Sequence, residues 1–179
     1  ETLNVLKSAK VLNCNIVAFS SGGKMQEFCT KHNVEFHMIK KTHSPRTSFV
    51  TYVYSLLKIL KQLLPLTEND IVESISVLED TQKLINSKNL SETNTSIILS
   101  QKISDIPLIY YPHGLEAAAI RFKSSLQENA KSHVIIEDII ESCHNGIVAW
   151  EKPSLLHPIL IQGSDDYFKT KERWQILKK

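Results

Sequence analysis

The chain has 179 residues, 42% of them apolar, which is enough for the core of one ordinary domain or of two small lobes. Its 21 basic and 19 acidic residues are spread along the chain, without the Lys/Arg blocks typical of nucleic-acid-binding tails. No apolar run approaches the roughly 18 residues that cross a bilayer, and the first residues lack the pattern of a signal peptide. We therefore expect a globular, cytoplasmic protein with neither a nucleic-acid nor a membrane partner.

The three cysteines, Cys14, Cys29 and Cys143, lie far apart, are odd in number and form no CxxC pair. Neither a disulfide framework nor a zinc site is indicated by such a pattern. We expect three reduced, partly buried thiols.

The first part of the chain alternates helices with short apolar strands. The pattern predicts helices over 2–12 and 24–32 and buried strands over 15–20 and 34–39. A helix–strand–helix–strand rhythm is typical of a parallel sheet covered by helices.

The middle of the chain is predicted to be helical. Apolar residues cover most of the circumference of a helix over 47–64, which predicts burial on several sides. Pro65 ends that helix, and Thr67-Glu68-Asn69-Asp70 provides a cap for the next, over about 70–85. A polar loop over 86–95 and a short helix near 96–103 follow.

The second half returns to alternation. We predict strands over 106–111, 134–136, 147–150 and 158–162. A helix over 115–131 follows a Pro-His-Gly turn, and another covers 169–178; the first carries a core-facing stripe of Leu115, Ala119, Phe122 and Leu126. The fold class is therefore α/β with two small lobes, each a parallel sheet flanked by helices. Their expected bounds are 1–64 and 104–179, with a helical connector over 65–103.

Three side chains are candidates for chemistry. Arg46 places a cation at the start of an apolar helix, where the helix dipole already favours an anion, although a surface ion pair would also explain it. Glu128 falls opposite the apolar stripe of its helix, which is equally typical of a solvated carboxylate. His144 lies in a loop before an apolar segment, a common place for a functional proton carrier and for an uninvolved histidine.

Three segments are candidates for substrate contacts. Ser20-Ser21-Gly22-Gly23, between a strand and a helix, could donate N–H groups to a phosphate, but it matches no phosphate-loop motif and could be a plain turn. Ser44 precedes Pro45-Arg46, and His113 lies in the Pro-His-Gly turn after the 106–111 strand. Both are placed like substrate contacts. Turn chemistry would explain both equally well.

These segments together resemble the bifunctional phosphoglucose/phosphomannose isomerases of the sugar isomerase domain superfamily. The residues that carry the resemblance are Asn15-Ile-Val-Ala-Phe-Ser-Ser-Gly-Gly-Lys24, Pro45-Arg46, Gly114-Leu115, Glu128-Asn-Ala-Lys131 and His144-Asn-Gly-Ile-Val-Ala-Trp-Glu151. Each segment alone is weak, but their order and spacing are specific.

The resemblance implies an isomerase of glycolysis and gluconeogenesis that interconverts glucose 6-phosphate and mannose 6-phosphate with fructose 6-phosphate. It implies that Glu128 is the catalytic base, that His144 opens the sugar ring and that Arg46 stabilises the cis-enediolate. It also implies a homodimer in which His144 reaches into the partner's site. Such proton transfers suit a carboxylate and an imidazole, so we expect neither a metal nor an organic cofactor.

Members of that family carry a Ser-x-Ser-Gly-Asn-Thr phosphate loop just before the segment that matches Glu1-Thr2-Leu3, and a further Lys near their C-terminus. Neither lies within these 179 residues. We therefore expect the chain to be incomplete at both ends and nearly inactive alone, since remote phosphate contacts support kcat as well as KM.

Two other functions stay open. The same kind of domain could serve as a non-catalytic phosphosugar sensor, although a sensor needs no catalytic base. The apolar helix over 47–64 would also suit an assembly domain.

Overall fold

The structure is a computed structural model and describes residues 1–178. Lys179, at the end of the predicted second lobe, and the side chain of Pro45, which precedes Arg46, lie outside the described part. The chain divides into two compact units, Glu1–Ser76 and Val77–Lys179.

The first unit begins with two helices and two parallel strands. They are α1 (Thr2–Val11), β1 (Val17–Ser20), α2 (Lys24–His32) and β2 (Glu35–Met38), with β1 hydrogen-bonded to β2. All four predicted elements are confirmed, with ends that differ by two residues at most. Leu6, Ala18 and Cys29 form the buried core between helices and sheet, and burial raises the pKa of the Cys29 thiol.

Two further helices belong to the middle of the chain. A 3₁₀ turn, Pro45–Ser48, leads into α3 (Phe49–Leu60), and α4 covers Glu68–Ile85. The predicted cap of α4 is confirmed: Asp70 Oδ2 accepts hydrogen bonds from the Thr67 N–H and hydroxyl, both at 2.7 Å. These bonds favour the charged carboxylate and lower the pKa of Asp70.

The prediction that the 47–64 helix is buried on several sides is wrong for the described chain. No residue of α3 is buried, and Phe49, Val50 and Leu56 are each more than two-fifths exposed. An apolar pattern reports which surface would gain from burial, but burial also needs a neighbouring element. Tyr54 of α3 bonds to Ser74 of α4 (2.8 Å), and Lys61, just after α3, pairs with Glu68 of α4.

The second unit is built on a three-stranded parallel sheet in the order β4-β3-β5. Its elements in chain order are α5 (Thr95–Lys102), β3 (Ile106–Tyr111), α6 (Glu116–Ser125), a π-helical turn (Leu126–Ala130), β4 (Ile135–Asp138), α7 (Ile139–Ser142), a 3₁₀ helix (Gly146–Glu151), β5 (Leu156–Leu160) and α8 (Phe168–Leu177).

Helices cover both faces of this sheet. Ile109 of β3 points to α6, where it packs with Ala119 and Val134, and the predicted stripe of that helix faces this core. Leu108 and Tyr110 point the other way, against Ile139 and Trp174. The α/β class with small parallel sheets flanked by helices is therefore confirmed, while the two-lobe organisation with its bounds at 64 and 104 stays a prediction.

The strand predicted over 147–150 is wrong, because the segment is a 3₁₀ helix. Its apolar residues resemble a strand, but β4 and β5 already occupy both edges of β3. Trp150 instead packs on the core and donates a hydrogen bond from Nε1 to the Tyr110 hydroxyl at 2.9 Å. Side-chain burial, not a strand ladder, fixes this segment.

Candidate active site

The Ser20–Gly23 turn follows β1 directly and leads into α2. The Ser20 hydroxyl donates to the Gly22 carbonyl at 3.1 Å, and the Gly22 N–H donates to the Ser20 hydroxyl oxygen at 3.3 Å. Gly22 and Gly23 have φ values of 113° and 66°, which side-chain-bearing residues rarely adopt. The two glycines are therefore required by the turn, whatever it binds.

A second turn, after β2, is held by a network of hydroxyl groups. Thr42 Oγ1 lies 2.7 Å from the hydroxyl of Ser48 and 2.7 Å from that of Thr47, and the Ser44 N–H donates to Thr47 Oγ1 at 3.5 Å. The network fixes the Ser44–Arg46 backbone. Sequence reasoning missed it, although the close spacing of Thr42, Ser44, Thr47 and Ser48 was the signal available.

Ser21 and Ser44 meet at a small cavity of about 180 Å³, at the carboxyl ends of β1 and β2. The cavity combines hydroxyl groups with basic side chains, which is a favourable environment for an anion. Ser20, Gly22 and Arg46 lie on the flanking turns and are not among its lining residues. The lining residues are Ser21, Ile39, Lys40, Lys41, Thr42, His43, Ser44, Ser48 and Tyr52.

Glu128 occupies the π-helical turn that follows α6. The predicted helix over 115–131 leaves α-geometry at Ser125, and Lys131, in the left-handed conformation with φ 57°, ends the turn. Lys131 Nζ donates to the Glu128 carbonyl at 2.7 Å. Glu128 is exposed, as predicted, and single π turns are frequent at functional sites.

His144 lies in the turn after α7 and is exposed. Asp138 caps that helix, with Oδ1 accepting from Ile140 N–H at 2.8 Å, and the His144 N–H donates to the Glu141 carbonyl at 2.9 Å. A Cβ atom at Gly146 would lie 3.0 Å from Glu137 Oε1. The absence of a side chain at Gly146 therefore lets the His144 turn lie against β4.

His113 lines a larger cleft of about 530 Å³ at the carboxyl ends of β3 and β5. Gly114 beside it has φ 88°, so the predicted Pro-His-Gly turn is confirmed. Glu128 and His144 are not among the described residues that line this cleft. Sequence reasoning missed its second wall, Gly163–Tyr167, because no helix or strand pattern marks it.

Within residues 1–178, no group of three or more His, Cys, Asp or Glu side chains is placed to hold a metal ion. Over the same range, no helix combines the length and the apolar character that a membrane crossing requires.

Comparison with known proteins supports the family resemblance. Residues 92–179 match the family described as bacterial phospho-glucose isomerase C-terminal SIS domain. Over 99% of its length the chain is 28% identical to the bifunctional phosphoglucose/phosphomannose isomerase of Caldicellulosiruptor bescii, and over 100% it is 27% identical to that of Aquifex aeolicus.

The chain covers 55% and 54% of those two proteins, so it spans about half the length of the curated relatives it matches. No solved structure matches the chain. The resemblance indicated by the motifs is confirmed: the chain is similar along its length to bifunctional phosphoglucose/phosphomannose isomerases, and residues 92–179 match the C-terminal SIS domain of the bacterial enzymes.

Proposed function

We propose that the protein to which these residues belong is a sugar-phosphate isomerase. It interconverts glucose 6-phosphate and mannose 6-phosphate with fructose 6-phosphate through a cis-enediolate. The observation that carries the proposal is the hydroxyl- and lysine-lined cavity beside the Arg46 turn, in a chain whose relatives bear the name of this enzyme.

The cavity is suited to an anion, and it would add contacts to the substrate phosphate besides those of the Ser-x-Ser-Gly-Asn-Thr loop that the family resemblance implies. Its volume of about 180 Å³ is small, and Ser21, Ser44 and Ser48 line it from two turns. Lys40 and Lys41 add positive charge, and charge-assisted hydrogen bonds are about twice as strong as neutral ones. The substrate phosphate would hold the sugar near these turns while the chemistry takes place at C1 and C2.

Three residues are assigned to the chemistry. Glu128 takes the proton from C2 of glucose 6-phosphate or mannose 6-phosphate and returns it to C1. In the same conversion the carbonyl oxygen at C1 gains a proton, and the hydroxyl group at C2 loses its proton. Arg46 stabilises the negative charge of the enediolate without a proton transfer. His144 moves the ring-oxygen proton during ring opening and does so in the site of a partner subunit, which makes the homodimer part of the proposal.

The activity is tested with the full-length gene product in a coupled assay for fructose 6-phosphate. We expect turnover of both aldose phosphates in the presence of EDTA, because proton transfer by carboxylate and imidazole needs no metal. Activity that disappears with EDTA and returns with a divalent ion would contradict the proposal. Binding of sugar phosphates without turnover would instead favour a phosphosugar sensor.

Removal of one hydroxyl from the cavity should weaken substrate binding. Ser21→Ala and Ser44→Ala each delete a hydrogen bond to a charged group, worth about 1.5–3 kcal/mol, so KM should rise about tenfold or more. Ser100→Ala is the matched control, because Ser100 is exposed on α5 and donates to the Ile97 carbonyl at 2.8 Å. KM values unchanged in both cavity variants would place the phosphate elsewhere.

A ring-opening role makes the effect of His144 dependent on the substrate form. His144→Ala should lower turnover of ring-closed glucose 6-phosphate more than it lowers exchange on substrate supplied in the open-chain form. Equal losses with both forms would assign His144 to a step after ring opening.

Mixed dimers that carry Glu128→Gln in one subunit and His144→Ala in the other should regain activity in one of their two sites.

A further inference from the structure

The unit Val77–Lys179 contains a second cleft with a composition unlike that of the first cavity. We name it the β3–β5 cleft; its volume is about 530 Å³, within the range of small-molecule sites. Its walls are the segment after β3 (Pro112–Leu115) and the segment after β5 (Gly163–Tyr167). Ile140 of α7 and Thr170 of α8 complete it.

The cleft lies at the point where the chain leaves neighbouring strands toward opposite faces of the sheet. The helix after β3, α6, packs on the Ile109 face, whereas the helix after β5, α8, packs on the face of Leu108 and Tyr110 through Trp174. This divergence opens a crevice at the carboxyl ends of the strands. Open parallel sheets bind their ligands at such crevices.

The loop after β5 is held in place before any ligand arrives. Asp166 Oδ2 accepts hydrogen bonds from the Gly163 N–H at 3.1 Å and from Nε1 of the buried Trp174 at 2.8 Å. A Cβ atom at Gly163 would lie 2.6 Å from Asp166 Oδ1, and Lys171 Nζ donates to the Ser164 carbonyl at 2.7 Å. Asp166 is therefore committed to the loop, while its neighbour Asp165 is exposed at the cleft.

The charge of the cleft disfavours phosphate. Asp165 and Asp166 both line it, and no Lys or Arg is among its described lining residues. Tyr111, which precedes the lining residue Pro112, has its pKa raised by burial and by the charges of Glu116 and Asp138. A phosphate in the cleft would meet these negative charges, and the Lys171 ammonium beside it is not a lining group and already bonds to the Ser164 carbonyl.

The remaining lining fits a ring with hydroxyl groups. Leu115, the half-exposed Ile140 and the ring of Tyr167 provide an apolar wall. Thr170 is 4% exposed, its N–H donates to the Tyr167 carbonyl at 2.8 Å, and it is one of the residues that line the cleft. A carboxylate can accept the hydrogens of two neighbouring hydroxyl groups. Asp165 is exposed and, unlike Asp166, has no described hydrogen bond within the loop.

We propose that the β3–β5 cleft binds an uncharged ring compound that carries neighbouring hydroxyl groups and no phosphate. Asp165 accepts the hydroxyl hydrogens, Thr170 bonds to the same edge of the ring compound, and Leu115, Ile140 and Tyr167 contact its apolar face. Nucleosides and unphosphorylated sugars share this chemistry. The binding is independent of the isomerase activity proposed above.

The test uses the full-length gene product and residue-specific NMR titration of the amides of 163–170. The probes are adenosine and glucose, each paired with its phosphorylated form, adenosine 5′-monophosphate and glucose 6-phosphate. We expect adenosine or glucose to shift the signals of these amides. The phosphorylated form of the same compound should bind there at least about tenfold more weakly. The compound that shifts them identifies the source, nucleoside or sugar.

Asp165→Asn should weaken the unphosphorylated probe about tenfold, because a hydrogen bond to a charged group is lost, and should reduce the discrimination against phosphate. Asp105→Asn, before the amino end of β3 in the same unit, is the control and should change neither. The proposal is overturned if neither unphosphorylated probe shifts these amides up to its solubility limit. It is also overturned if a phosphorylated probe binds there as tightly, or if Asp165→Asn has no effect.

Isomerase activity and cleft binding can be separated. Glucose that bound only in the first unit would shift amides near Ser21 and Ser44 and leave 163–170 unmoved, which would contradict the cleft proposal alone. Loss of isomerase turnover with unchanged shifts at 163–170 would contradict the isomerase proposal alone.

Discussion

On the proposed mechanism, replacement of Glu128 by Gln should lower kcat of the full-length protein by about 10²–10⁴, the usual range for a general base. Gln keeps the shape of the side chain and some of its hydrogen bonding but cannot accept a proton from carbon. KM should change little, because the substrate phosphate is bound by other groups. Steady-state assays with both aldose phosphates measure the two parameters.

Isotope exchange provides the direct test of this role. In deuterium oxide, wild-type protein should incorporate deuterium at C2 of recovered glucose 6-phosphate, and the Glu128→Gln variant should not. Glu73→Gln is the matched control, since Glu73 is an exposed helical carboxylate on α4 and should leave both rates unchanged. Undiminished exchange in Glu128→Gln would show that another group is the base and that Glu128 is only a solvated carboxylate.

The second large effect concerns the fold of the unit that carries Glu128 and His144. Trp174 is 2% exposed, packs with Leu108, Tyr110 and Ile139, and donates to Asp166. Trp174→Ala should therefore reduce the free energy of unfolding by about 3–5 kcal/mol, from lost apolar burial and the cavity that remains. Urea unfolding followed through the fluorescence of Trp150, which contacts the same core, measures the loss.

Trp174→Phe separates the packing from the hydrogen bond. Phe retains most of the apolar volume but cannot donate to Asp166, so the loss should fall to about 1.5–3 kcal/mol, the contribution of a hydrogen bond to a charged group. Arg173→Ala, a neighbouring substitution on the same helix outside the buried core, should cost less than either. A Trp174→Ala loss below that of Trp174→Phe would mean that this core tolerates the cavity by collapse.

Much of the architecture could be predicted from local pattern. The strand 106–111 was predicted to the residue because it is central and continuously apolar, and α2 was predicted to the residue because a glycine pair precedes it and Asn33 in the left-handed conformation follows it. The exposed position of Glu128 also followed from periodicity. Local sequence carried these features because each depends on neighbours along the chain.

Other features depend on contacts between distant segments. The segment 147–150 has the composition of a strand, but both edges of β3 are taken and Trp150 reaches Tyr110 instead. The apolar surface of α3 predicts burial on several sides, which its described neighbour α4 supplies only in part.

The sequence by itself determined the α/β class, most of the helices and strands, and the motifs that resemble the sugar isomerases, because residue types and their spacing decide all three. Only the tertiary structure decided that Ser21 meets Ser44 at one cavity and that a second cleft opens where α6 and α8 leave the sheet on opposite faces. The physical reason is that parallel strands bring together the residues after their carboxyl ends, and these lie too far apart along the chain for any local pattern to link them.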